Sequence, residues 1–125
     1  MSDRALVVDD SSFQRTIVSN TIDDWFDIVA TAENGKEAIA QFKDKKPDVV
    51  TMDIMMPEMD GITAVENIKE LSPETIIVMV TSVKQKEKMR EAAKAGADGY
   101  VTKPVNTKKL RDEFAEVLDW SAAKK

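Results

Sequence analysis

Five short apolar runs recur along the chain, each followed by a stretch whose apolar residues return every three or four positions. The runs are ALVV at 5 to 8, DIVATA at 27 to 32, DVVTMD at 48 to 53, TIIVMVT at 75 to 81 and GYVTK at 99 to 103. The first, third and fourth are nearly continuous in apolar residues, the pattern of strands covered on both faces. Between the runs, residues 12 to 24 set Phe13, Ile17, Val18, Thr21 and Ile22 on one side of a helix. Asn34 caps a second helix, with Glu37 three residues on, and Pro47 closes that segment. Behind Asp60 as a cap, Ile62, Val65, Ile68 and Leu71 form the stripe of a third. Met89, Ala92, Ala93 and Gly96 give the fourth a small-residue face and a glycine stop. Leu110, Phe114, Val117 and Leu118 line the fifth behind Asn106 or Thr107. This alternation predicts an α/β fold, a doubly wound five-stranded parallel sheet with five helices on its two faces. Residues 1 to 125 read as one domain, with a tail from about residue 121 expected to fray.

In such a sheet, ligands bind outside the carboxyl ends of the strands. The first strand ends in Asp9 and Asp10, the third in Asp53, the fourth in Thr81 and Ser82, the fifth in Lys103 before Pro104. Each residue has a structural explanation of its own. Asp10 or Ser11 could cap the first helix, Thr81 or Ser82 the fourth, and Lys103 could be a surface charge. Asp53 is harder to explain, because the next helix has Asp60 as its cap. Together the structural explanations fail: two carboxylates about 4 Å apart repel by roughly 4 kcal/mol at an effective dielectric near 20. Such a cluster needs cations. Lys103 supplies one charge, and a divalent ion with oxygen ligands, Mg2+ by preference, would supply the rest. The cation and Lys103 would orient phosphate oxygens, Thr81 would bond to another, and Asp53 would be free to attack phosphorus.

Composition narrows the chemistry further. The chain has no Cys and no His, which excludes thiolate or imidazole nucleophiles, bases and metal ligands and leaves carboxylate, hydroxyl and amine chemistry. A net charge of −5 argues against nonspecific nucleic-acid binding. No apolar run approaches the roughly 20 residues that span a bilayer, and the start lacks a signal-peptide core, so a cytoplasmic location is expected; a monomer is expected as well. The charge is uneven: residues 1 to 62 hold 6 basic and 13 acidic side chains, residues 63 to 125 hold 12 and 10. Two differently charged surfaces follow.

LVVDDS, VVTMDIMMPEMDG, VTS and YVTKP, in this order and at these strand ends, resemble the receiver domain of two-component response regulators. The likeness is closest to free-standing CheY-like chemotaxis regulators and covers residues 4 to 119. It implies the flavodoxin-like strand order 2-1-3-4-5. It also implies phosphorylation of Asp53 by a histidine kinase, Mg2+ held by Asp9, Asp10, Asp53 and the backbone carbonyl of Met55, and Lys103 on the phosphoryl group. Thr81 and Tyr100 would switch, the Lys103–Pro104 bond would be cis, and Met55, Ser82 and Val83 would tune phosphate entry and loss. The output surface would comprise Lys84, Lys86, Lys88 and Arg90, with Tyr100, Lys108, Lys109 and Arg111. The phrase VVTMDIMMPEMDGI is similar to archaeal chemotaxis regulators, so a flagellar or archaellar motor switch or adaptor is the implied partner.

Other functions fit less well. A Mg2+-dependent phosphatase of the haloacid-dehalogenase kind would carry a second Asp where Met55 stands. A flavin or nucleotide carrier would need a glycine-rich first turn in place of DDSSF. A receiver cut from a methylesterase or transcriptional regulator would look the same, but the chain ends just after the fifth helix, so a free-standing switch is expected.

Overall fold

The computed structural model describes residues 3–118, so the expected fraying of the tail lies outside the described residues. Strands and helices alternate as β1 (Asp3–Val8), α1 (Ser12–Ile22), β2 (Phe26–Ala32), α2 (Gly35–Lys45), β3 (Val49–Met52), α3 (Gly61–Leu71), β4 (Ile76–Thr81), α4 (Lys86–Ala95), β5 (Gly99–Thr102) and α5 (Thr107–Leu118). The sheet is parallel throughout with the order β2-β1-β3-β4-β5, as expected.

The continuous apolar runs serve two cores. Leu6, Val8, Val50, Met52, Ile77 and Met79 face α2, α3 and α4, while Ala5, Val7, Val49, Val78 and Val80 face α1 and α5. Successive strand side chains point to opposite faces, so a central strand needs apolar residues at every position. Phe114 anchors the second core, edge-on to Phe26 at 4.9 Å and to Trp25 at 6.4 Å between ring centroids.

Side chains of α5 close the β5 edge. Glu113 Oε2 accepts from the Tyr100 N–H at 2.9 Å, and Lys109 Nζ donates to the carbonyls of Thr102 and Pro104 at 3.1 and 3.2 Å. Strand groups that would otherwise invite another chain are thereby occupied.

Several helix faces differ from their periodic reading. Phe13 is 69% exposed and Leu71 53% exposed, each at an end of its helix. Met89 and Ala93 are also exposed, and in α4 only Ala92 is fully buried, since this helix packs chiefly against α3. Neither Thr81 nor Ser82 caps α4. The helix starts at Lys86 behind Gln85, which makes no side-chain cap bond, and Lys84 lies in the loop before the helix. Ser11, Asn34, Asp60 and Asn106 do cap, accepting from Gln14, Glu37, Thr63 and Lys109 N–H groups at 2.8 to 3.2 Å.

Candidate functional site

The strand ends extend one residue past the sheet by backbone bonding, which fixes where the polar side chains emerge. Asp9 N–H donates to Ala32 O at 3.0 Å, Asp53 N–H to Val8 O at 3.1 Å and Lys103 N–H to Thr81 O at 2.9 Å. Asp9, Asp53 and Lys103 are thus delivered to one edge by β1, β3 and β5. Asp10 follows Asp9 and is exposed; one carboxylate oxygen from each of Asp9, Asp10 and Asp53 lies within 4.8 Å of the others.

Lys103 Nζ bridges the two buried carboxylates, at 2.7 Å from Asp9 Oδ2 and 3.2 Å from Asp53 Oδ2. Backbone donors fix the remaining oxygens: Ser11 N–H reaches Asp9 Oδ1 at 3.0 Å, and Ile54 N–H reaches Asp53 Oδ1 at 2.8 Å. Burial pushes the Asp53 carboxyl above the ordinary aspartate value; a hydrogen bond with Thr81 and the Lys103 charge oppose this, and the Asp9 charge adds to it. Burial alone would lower the Lys103 pKa, but its bond to Asp9 and the charges of Asp53 and Asp9 prevail and raise it. Three carboxylates face one ammonium, so the cluster keeps an excess of negative charge.

Thr81 and Tyr100 converge on Val83. The Val83 N–H donates to Thr81 Oγ1 at 3.3 Å, and the Tyr100 hydroxyl donates to Val83 O at 2.6 Å. Burial raises the Tyr100 pKa, as does the charge of Asp53. Ser82 is exposed, Val83 half-buried, and the Met55 side chain is 66% exposed. The Lys103–Pro104 bond is cis, as the resemblance implies. The basic residues assigned to the output surface, Lys84, Lys86, Lys88, Arg90, Lys108, Lys109 and Arg111, are all exposed.

Three further contacts shape the site, and those of Arg15 and Gly35 were not anticipated. Arg15 donates to the Asp9 carbonyl at 2.7 Å, tying α1 to the end of β1. Gly61 lets α3 start against the site, since a Cβ there would lie 1.9 Å from Asp53 O. Gly35 does the same for α2 against Met59. The Arg15 and Gly35 contacts join separate elements, and no local pattern signals them. A groove of about 750 Å3, lined by Phe42, Val49, Leu71, Ile76 and Leu118, lies at the opposite edge of the sheet, away from the carboxylates.

Comparisons with known proteins bear on the family and the fold. Residues 5–115 match the response regulator receiver domain. The chain is 46% identical over 118 residues to the chemotaxis protein CheY of Halobacterium salinarum, covering 94% of this chain and 98% of that one. It is 38% identical over 120 residues to CheY of Bacillus subtilis, covering 95% and 100%. Among solved structures, it superposes with a TM-score of 0.88 on a chain of the CheX-CheY-BeF3-Mg2+ complex from Borrelia burgdorferi, at 30% identity, covering 93% of this chain and 89% of that one. The fold, the order of the strands and these relatives together place the chain in the response regulator receiver domain family, as a CheY-like member.

Proposed function

We propose that this protein is a chemotaxis response regulator whose Asp53 accepts a phosphoryl group from a histidine kinase in a Mg2+-dependent reaction. The observation that carries the reading is the meeting of Asp9, Asp10 and Asp53 with Lys103 at one strand edge of a CheY-like fold. The donor set suits Mg2+: hard carboxylate oxygens, two of the three residues buried, and more negative charge than Lys103 balances. Asp9, Asp10, Asp53 and the backbone carbonyl of Met55 would hold the ion. When bound, it would supply positive charge that offsets the carboxylates and polarises phosphoryl oxygens.

The chain's own groups account for the rest. A carboxylate oxygen of Asp53 forms the new P–O bond while the P–N bond of a phosphohistidine breaks; its electron pair leaves with the imidazole, which takes a proton from solvent. Lys103, already within 3.2 Å of Asp53, neutralises a phosphoryl oxygen. Exposed Ser82 leaves the donor a path to the site. The Thr81 hydroxyl turns to the phosphoryl group, releasing the Val83 N–H, and Tyr100, bonded to the same residue, registers the change at the face formed by α4, β5 and α5. The exposed lysines and arginines there fit an acidic motor-switch or adaptor partner.

Among the described residues, no helix is long and apolar enough to cross a membrane. Incubation with acetyl phosphate tests the reading: intact mass should show one phosphoryl adduct with Mg2+, little with a chelator and none in Asp53→Asn. Equal labelling with and without metal would overturn the metal dependence, and no adduct on the wild-type protein would overturn the whole reading.

A further inference from the structure

The loop from β3 to α3 carries both Asp53 and Met55, and its backbone is strained. Met59 N–H donates to Pro57 O at 2.7 Å, and Glu58 between them has φ of 70°. A three-residue turn with positive φ at a residue bearing a side chain is costly, and persists only where its surroundings hold it. Two glycines supply the hold. At the base of the loop, Gly61 N–H donates to Ile54 O at 2.8 Å. At its far side, Gly35 N–H donates to Met59 O at 3.0 Å, and a Cβ on Gly35 would lie 2.5 Å from that oxygen and 2.7 Å from Met59 Cβ and Cγ.

Gly35 is the first residue of α2, and the first N–H groups of a helix have no partner within it. Asn34 Oδ1 serves Glu37, Glu37 Oε1 serves Glu33, and the loop carbonyl of Met59 serves Gly35. The loop is therefore part of the cap of α2. If the loop shifts, a buried donor and the strained turn lose their partner together.

We infer that Gly35 is a positioning residue for the phosphorylation site: the start of α2 clamps the β3–α3 loop so that Asp53 and the Met55 carbonyl are held for Mg2+. The inference rests on the reading of the carboxylate cluster as a Mg2+ site. Coupling of this kind is reciprocal, so ion binding must tighten the Gly35 bond by the factor by which the bond tightens ion binding.

Two measurements with MgCl2 test it. In wild-type protein, amide hydrogen exchange of Gly35 should slow at least about fivefold on saturation, while that of Lys46 at the other end of α2, bonded to Phe42 O, stays constant. By titration calorimetry, Gly35→Ala should lose at least about fivefold in Mg2+ affinity with its circular dichroism unchanged, and adding Met59→Gly should recover part of the loss. Wild-type protein that takes up no Mg2+ overturns the site reading and this inference together. Normal Mg2+ uptake with Gly35 exchange unchanged overturns the inference alone, whether or not the alanine variant folds. A folded Gly35→Ala with wild-type affinity and only a lower melting temperature does the same.

Discussion

Replacing Asp53 by asparagine should stabilise the fold at neutral pH without metal. Asp53 is 5% exposed, and burial raises its pKa against the opposing effects of Thr81 and Lys103. Between its unfolded and native pKa values the native state binds more protons than the unfolded one. Stability therefore falls as pH rises through that window and stays lower above it. The magnitude follows from the distances. Repulsion from the buried Asp9 carboxylate, with an oxygen within 4.8 Å, is about 3.5 kcal/mol at an effective dielectric near 20, while the charge of exposed Asp10 is screened by solvent. Desolvation of a buried carboxylate adds about several kcal/mol. Attraction to Lys103 at 3.2 Å returns about 5 kcal/mol on the same scale. The balance is a cost on the order of 1–2 kcal/mol, which asparagine removes while keeping an acceptor for the Ile54 N–H and leaving Lys103 to Asp9. For a domain of this size that is a rise of about 3–10 °C in Tm. Thermal unfolding of both proteins in metal-free buffer, from about pH 7 down to about pH 4, checks it: the gap should be widest at neutral pH and close as the wild-type carboxyl protonates. A variant less stable than wild type at neutral pH, or a gap that ignores acidification, would refute the reasoning.

Other residues give sharp expectations. Thr51 is buried in β3 and its hydroxyl has no hydrogen-bond partner, so Thr51→Val should stabilise by about 1 kcal/mol in denaturant unfolding; a loss of stability would mean the hydroxyl is satisfied. With Met55→Asn and Val83→Glu together, polar groups would face the water that attacks the aspartyl phosphate, and phosphate loss should accelerate, by up to about 10²-fold. Equal or slower loss in that double variant sinks the idea that the two apolar residues prolong the signal. Reversing Lys86, Lys88, Lys108 and Arg111 to glutamate should weaken binding of the output partner at least about tenfold and flatten its salt dependence, measured by calorimetry at two ionic strengths. Unchanged binding would place the output surface elsewhere.

The strands were legible because burial on both faces leaves no room for polar residues; β1, β3 and β4 read as apolar runs for that reason. The five helices were legible by period, but which residues they bury depends on the neighbouring elements each one packs against, and α4 packs chiefly against α3. Phe13, Leu71 and Met89 satisfy the period and are nevertheless exposed. The capping alternative for Thr81 and Ser82 could not be dismissed locally, because nothing in the sequence distinguishes a hydroxyl that caps from one that bonds to the next loop residue but one, as Thr81 does with Val83. Asp9, Asp53, Thr81 and Lys103 could be gathered from sequence because a parallel sheet delivers its strand ends to one edge. Tyr100 and Met55 entered only through the resemblance, since an aromatic in a strand and a methionine in a loop carry no chemistry of their own. Arg15 and Gly35 stayed hidden because their partners lie in other elements and are backbone atoms.

The central claim is that Asp53, of the three clustered aspartates, forms the bond to phosphorus. Borohydride reduces an acyl phosphate to the alcohol, so protein treated with acetyl phosphate and Mg2+ and then reduced should carry homoserine at position 53. Peptide mass mapping reads this directly: homoserine at 53 alone is the result predicted, and reduction at Asp9 or Asp10, or at no position, would contradict the account.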